Sequence, residues 1–413
     1  MNTTTLRIPL LASALALAAL LLSACAEKSA PPPPPAPAAA VHAPEPLAAQ
    51  DWRHPVFYYA TNRNFTGVAA DGAHYGGGRS REMSYGQLLT GTSGGANDGS
   101  DDYRVNVSLN RVTRMSSTRF LTDVERAAAR MPGREVLIFI HGFDNGFEDA
   151  AVTAARIAAG TGFNGAVILY SWPSTGNPAA YMADRNNAYW SVQPLKDLLT
   201  SLTSDPWIGR VSIVVHSMGN EALIRAYGDL AGECRAHNGG CAALAKVRAI
   251  VLAAPDMDRE IFLEQYARKI TSLGARVVLY ASANDMALAA SSMVQGGDYV
   301  RLGKQVLCIP GIHVTDVSAV KTDLLGHSWI SQSRAVLTDL RCSIAENCNR
   351  YASPQLQEMV CPAGMRYPLP GAGGGDNRAT SGVSYWRLNV PQSGSGGGTV
   401  NAGFPFSLPF LSN

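Results

Sequence analysis

Apolar residues in this chain gather into short, nearly unbroken runs rather than alternating ones. Five such runs succeed one another: Val136–Ile140, Val167–Tyr170, Val211–Val215, Ala249–Ala253 and Val277–Tyr280. Continuous β-branched and aliphatic runs bounded by turn formers are what parallel strands buried on both faces look like. The intervals between them have helical spacing. Ala150–Ala159 and Ala222–Leu230 are alanine-rich with apolar residues three and four apart, and Ile261–Ile270 has a similar pattern. Strand and helix alternating five times predict an α/β class, a mostly parallel sheet covered by helices on both faces. Upstream, Val56–Thr61 and Arg104–Leu109 read as strands forming the antiparallel edge of that sheet. The glycine-rich segment 67–99 between them lacks a core pattern and reads as a long loop.

The flanks follow other rules. Arg7 precedes an apolar run, Ile8–Leu22, too short and too alanine-rich for a stable membrane span and suited to a secretory signal. The run ends in Leu22-Ser23-Ala24-Cys25, which resembles a bacterial lipobox. The resemblance implies cleavage after residue 24, palmitate-type acylation of Cys25 and a lipoprotein held at the bacterial cell envelope. Ala26 is not Asp, which favours the outer membrane; the rival reading is a plain secretory peptide. Residues 25–50, with five consecutive prolines from Pro31 to Pro35, read as a polyproline-like tether that buries no core. Residues 362–413 are rich in Gly, Ser and Pro and read as a mostly disordered tail, whose Phe404–Phe410 stretch is apolar enough to dock somewhere. The folded domain is therefore expected over 51–361.

Composition narrows the classes. The chain of 413 residues is 46% hydrophobic and 16% charged with a net charge of +2, and it has no dense Lys/Arg run, so nothing marks it for nucleic acid. Besides Cys25, six cysteines remain: Cys234, Cys241, Cys308, Cys342, Cys348 and Cys361. An even number in an exported chain suits disulfides. Close spacing suggests Cys234–Cys241 and Cys342–Cys348, leaving Cys308–Cys361, among the fifteen pairings six cysteines allow. Zinc is the weaker alternative, because no spacing is C-x-x-C.

The candidate chemistry begins at Val215-His216-Ser217-Met218-Gly219-Asn220, directly after a buried run and directly before a helical one. A serine on such a strand-to-helix turn projects its oxygen beyond the sheet, and the turn aims the next N–H and the helix's positive end at a developing oxyanion. Val215 stands where the common G-x-S-x-G signature has glycine. A bland reading also exists, a buried serine capping the helix. A serine nucleophile needs a base and an acid, in the chain order serine, acid, histidine. Asp285 follows the Val277–Tyr280 run and precedes a helix-forming Met286–Ala290; it suits the acid and equally a helix cap. Asp256, one strand earlier, is the alternative acid. Only His313 and His327 lie beyond Asp285. His327, after a loop glycine, is favoured over His313, which sits beside the strand-like Val306–Ile309. After the first run, His141-Gly142-Phe143 offers a second oxyanion donor in the N–H of Phe143, paired with that of Met218. Asp144, Asn145 and Phe147 are candidates for lining the pocket, and Trp172, Pro173 and Tyr181 to Trp190 for a lid or acyl pocket.

In order along the chain, Tyr58-Tyr59-Ala60-Thr61-Asn62-Arg63, Phe139–Phe143, Tyr170-Ser171-Trp172-Pro173, His216–Asn220, Ala253-Ala254-Pro255-Asp256, Ser282–Asp285 and Gly326-His327-Ser328 resemble the bacterial α/β-hydrolases grouped as DUF900, over about residues 52–340. The resemblance implies an α/β-hydrolase fold and a Ser217–Asp285–His327 triad, does not require glycine at 215, and leaves the substrate undefined. The expected activity is a serine esterase or lipase acting on a small-molecule or lipid ester through an acyl-enzyme, without metal or organic cofactor. The alternatives are a catalytically inactive envelope-binding lipoprotein on the same fold, and an acyltransferase using the same triad.

Overall fold

The computed structural model describes residues 43–94, 101–103, 105–236, 241–320, 325–346, 348–367 and 384–390. The secretory run, Cys25, most of the tether and most of the tail lie outside them. Eleven strands form one sheet: β1 Val56–Ala69, β2 Gly72–Gly94, β3 Val105–Met115, β4 Glu135–Ile140, β5 Ala166–Ser171, β6 Arg210–His216, β7 Val247–Ala253, β8 Arg276–Ala281, β9 Ile312–Asp316, β10 Leu356–Val360 and β11 Ser384–Leu388. Their order is β10-β11-β9-β8-β7-β6-β4-β5-β1-β2-β3. The five expected runs are β4 to β8, each paired in parallel with its neighbours.

Two apolar layers explain why those runs are unbroken. Val136, Ile138 and Ile140 of β4 face a core shared with helices Ser117–Ala128, Val192–Ser204 and Gly219–Ala236. Leu137 and Phe139 face the opposite core, shared with helices Phe147–Thr161 and Arg334–Ile344. A strand covered on both faces gains from an apolar side chain at every position. The Ile261–Ile270 pattern forms as expected, but with a π-helical turn at Phe262–Tyr266 between Arg259–Ile261 and Ala267–Thr271.

Three expectations need correction. The segment 67–99 is not a long loop: most of it is β2, hydrogen-bonded to both β1 and β3. Tyr75 and Leu88 turn inward while most of the strand stays at the surface, and the ladder itself is made by the backbone, so few side chains announce it. Consequently β3 is the antiparallel edge strand expected, whereas β1 lies two strands further in, parallel to β5 and antiparallel to β2. His313 belongs to β9 at Ile312–Asp316, whereas Val306–Ile309 is irregular.

Both flanks contribute more than composition suggests. Ser384–Leu388, within the expected tail, is β11, lying between β9 and β10 with Tyr385 and Leu388 buried. At the other end Leu47 reaches the core, and its N–H donates to the Arg126 carbonyl at 3.1 Å. Disulfides join Cys234–Cys241, Cys308–Cys361 and Cys342–Cys348, with Cα separations of 5.4, 6.3 and 4.8 Å that lie in the ordinary range. No helix among the described residues is long and apolar enough to cross a membrane.

Candidate active site

The parallel strands end on one rim, where the turns after β4, β5, β6, β7 and β8 meet, the usual place for a site in an open α/β sheet. Ser217 stands between β6 and helix Gly219–Ala236 with φ 51°, the left-handed region that L residues avoid. Holding a non-glycine residue there costs about 1–3 kcal/mol and needs surrounding bonds to enforce it. Those bonds are present. The Ser217 N–H donates to Ala253 O at 2.9 Å, and its carbonyl accepts from Asn220 Nδ2 at 2.8 Å and from the Asp256 N–H at 3.2 Å. The turn also requires two glycines. A Cβ at Gly142 would lie 2.7 Å from Ser217 Cβ, and one at Gly219 would lie 2.3 Å from His141 O. Val215 is fully buried inside β6, and with no side chain at Gly219 there is room for it.

The imidazole of His327 meets a carboxylate, and that carboxylate belongs to Asp285. His327 Nδ1 donates to Asp285 Oδ2 at 2.6 Å, while Asp285 Oδ1 accepts from the Leu288 N–H at 2.9 Å. The two roles foreseen for Asp285, partner of a histidine and cap of helix Met286–Val294, are thus filled together by its two oxygens. Around the loop carrying His327, the Met286 N–H donates to Leu325 O at 2.8 Å, and His216 Nε2 donates to His327 O at 3.1 Å. The rings of His216 and His327 lie 4.6 Å apart, which puts the His327 ring beside the residue that precedes Ser217.

Asp256 is engaged elsewhere. Its carboxylate accepts from Ser291 Oγ at 2.5 Å and Tyr181 OH at 2.9 Å and pairs with Arg301 at 3.0 Å, so it steadies the rim and does not bond His327. His313 bonds Tyr351 OH at 2.7 Å and lines a cavity of about 440 Å³ with Arg210, Arg248 and Arg276, where β6, β7 and β8 begin, at the end of the sheet opposite Ser217.

The loop after β4 is held from below by a buried cation. Arg63 Nε donates to Ser171 Oγ at 2.8 Å, Nη1 to Ser174 O at 2.6 Å and Nη2 to Asn145 O at 2.7 Å. Burial lowers its pKa to about 10. His141 is wholly buried, stacked on Trp172 at 5.0 Å, and its carbonyl accepts from Trp172 Nε1 at 2.7 Å. Burial, and then the Arg63 charge, push His141 well below the usual imidazole range, so the ring is neutral. Its two ring nitrogens each face a backbone carbonyl, Nδ1 at 2.8 Å from Gly142 O and Nε2 at 3.1 Å from Trp172 O, and Arg63 Nη2 lies 3.3 Å from Nε2. Asp184 completes the support, accepting from Ser174 Oγ at 2.5 Å and the Thr175 N–H at 2.9 Å.

Phe143 emerges from this loop against Tyr181, ring centroids 5.4 Å apart. Asn145 Nδ2 donates to Phe143 O at 2.7 Å, so Asn145 shapes the loop, while Asp144 is exposed. Phe147, by contrast, is a core residue packed on Tyr59 and Tyr75 at 5.2 and 4.8 Å and does not line the rim. Sequence reasoning gave Arg63 no role and did not single out Asp184. The signal for Arg63 was its place in the Tyr58–Arg63 motif; for Asp184 no local signal exists.

Residues 116–343 match the model of an α/β-hydrolase family of unknown function, DUF900. The chain belongs to that family. The match spans more than half of the sequence and includes β4 to β9, Ser217, Asp285 and His327, while β1 with Arg63 lies before it. No curated protein matches the chain. Membership therefore brings a hydrolase fold to the site just described and no assigned reaction. Among the described residues, Asp71, His74 and Glu148 bring metal-ligand atoms within 4.8 Å of one another where the β1–β2 turn meets the start of helix Phe147–Thr161, and none of them shares in the bonds around Ser217.

Proposed function

We propose that this chain is a serine hydrolase that cleaves an acyl ester through an acyl-enzyme on Ser217. The observation that carries the reading is the 2.6 Å bond from His327 Nδ1 to the buried Asp285 carboxylate, beside a serine held at positive φ on a strand-to-helix turn. With Nδ1 occupied by its proton, Nε2 of His327 is left as the base. His327 takes the Ser217 hydroxyl proton as Oγ attacks the ester carbonyl. The oxyanion is met by the N–H groups of Phe143 and Met218 and by the positive end of helix Gly219–Ala236. The tetrahedral intermediate collapses, the C–O bond breaks, and His327 returns its proton to the departing alcohol. Water, deprotonated by the same imidazole, then releases the acid and restores Ser217. Asp285 accepts from Nδ1 and keeps the imidazole in its working tautomer.

A fluorophosphonate probe is the direct test. Folded wild-type chain should be labelled at Ser217; Ser217→Ala should abolish labelling and His327→Ala should slow it by orders of magnitude. A folded wild type that resists the probe would sink the reading. Labelling without turnover of short p-nitrophenyl esters would move the assignment to an acyltransferase.

We further propose, from the Leu22–Cys25 sequence, that the mature chain is acylated at Cys25 and faces the cell envelope from the outer membrane. Cells fed radiolabelled palmitate should label the wild type and not Cys25→Ser; equal labelling of both would remove the anchor.

A further inference from the structure

The helix Met286–Val294 starts at the residue after Asp285 and presents to solvent a face with no polar side chain. Met286, Met293 and Val294 are each more than half exposed, and Ala287, Ala289 and Ala290 fill the intervals between them. Its two serines do not interrupt that face: Ser291 is buried against Tyr181 and Asp256, and Ser292 Oγ donates to its own helix at Leu288 O, 3.2 Å away. The apolar surface continues on both sides. Leu325 is bonded through its carbonyl to Met286, and Met182 follows Tyr181, whose hydroxyl reaches Ser291 at 2.7 Å; both are also more than half exposed. Of the eleven large apolar side chains exposed among the described residues, these five adjoin the elements that carry Asp285 and His327. A surface helix normally turns charge to water, and an apolar patch of this kind marks a binding surface.

We propose that this face docks on a lipid bilayer and that the ester cleaved is a long-chain acyl lipid drawn from it. The inference rests on the hydrolase reading above and names its substrate. The chemistry of the face selects the occupant. A protein partner or a second copy forms about one hydrogen bond per 100–200 Å² of interface, and the one polar group near this face, the Ser292 hydroxyl, already donates to Leu288 O. Acyl chains need none, and methionine side chains adapt to them. The face also leads to the right place, since it opens from the cap residue that bonds His327, while its inner side bears on the Tyr181–Asp256 contact next to Ser217. The sequence at Cys25 points to the same surface. Cys25 and Pro44 are separated by at most ~65 Å of chain, against a domain diameter of about 50 Å.

Two measurements on the full chain test this. In the first, Met293→Glu with Val294→Glu is compared with wild type on two substrates: a water-soluble short p-nitrophenyl ester, and a diacyl phospholipid in phosphatidylethanolamine/phosphatidylglycerol vesicles. The ratio of vesicle rate to soluble rate should fall at least tenfold. An unchanged ratio overturns the proposal, as does a wild type that turns over the soluble ester and leaves the vesicle lipid untouched. A wild type inactive on both, and unlabelled by fluorophosphonate, strikes instead at the hydrolase reading. In the second, independent of chemistry, Val294→Trp is added to vesicles whose acyl chains carry bromine. Quenching of the new tryptophan beyond that of the parent chain supports docking. No added quenching overturns it, including the case where quenching appears only after residues 391–413 are removed, which would mean that the chain's own Phe404–Phe410 segment covers the face.

Discussion

The loop at residues 141–146 and the loop carrying His327 flank the same serine, yet they are held by different means. Beneath the first lies a buried polar network: Arg63 reaches four acceptors on three segments, Trp172 stacks on His141 and bonds its carbonyl, and Asp184 ties down Ser174 and Thr175. On the second loop, the His327 ring bonds the Asp285 carboxylate, and the backbone accepts from the Met286 N–H and from His216. Oxyanion donors act only if they are fixed before charge develops, so a rigid bed suits them. An imidazole must shuttle a proton between two partners, and a bond to one carboxylate orients it without freezing the loop. Damage to the first region should therefore cost stability and activity together. Damage to the second should cost activity with little loss of stability.

The sharpest break comes from the second region. His327→Ala should lower kcat for a short ester by about 10⁴-fold or more while the melting temperature falls less than for a change in the first region, since a single ring, 15% exposed, is removed. Asp285→Asn follows, with a kcat loss of about 10²–10⁴-fold. Its amide oxygen still caps Leu288, so thermal unfolding should move little; a large drop in melting temperature would show that the carboxylate is mainly structural. On the other side, Arg63→Met leaves the Asn145 and Ser174 carbonyls without their donor. We expect about 3 kcal/mol of lost stability, or roughly 6–10 °C in Tm, accompanied by weaker catalysis. Calorimetry and steady-state rates on the same sample check that coupling.

Acid provides a milder probe of the same bed. His141 stays neutral in the folded chain well below pH 6.5, whereas in the unfolded chain it takes up a proton near that value. The unfolded state then binds more protons, so stability is complete above pH 6.5 and is lost as the pH falls below it, at up to about 1.4 kcal/mol per unit. Denaturant titrations at several pH values should show this slope, and His141→Gln should reduce it. The smallest effect belongs to His216→Phe, which keeps a ring against His327 and removes the bond to its carbonyl. A kcat loss of about fivefold with unchanged Tm is expected, within the usual range for one positioning contact.

What could be read from the chain before the structure follows from how local each signal is. The runs that became β4 to β8 are legible because both their faces are covered, so burial writes itself into consecutive residues. β2 and β11 are not, because their pairing partners supply what their own residues do not announce. At the site, Ser217, His327 and Asp285 are marked by position at strand ends. The separation of Asp285 from Asp256 is not local: it depends on which strand end the His327 loop crosses, and on Tyr181 and Arg301 claiming Asp256. Arg63 and Asp184 escape for the same reason. Arg63 acts on residues about a hundred positions away, and an arginine or aspartate in isolation says nothing about such partners.

The central claim is that Ser217 Oγ accepts the acyl group. Wild-type chain mixed with p-nitrophenyl butyrate, quenched in acid within milliseconds and digested, should yield the peptide containing Ser217 with one butyryl group attached. The adduct should be absent from Ser217→Ala, together with the release of p-nitrophenol. Hydrolysis that continues undiminished in folded Ser217→Ala would contradict the account.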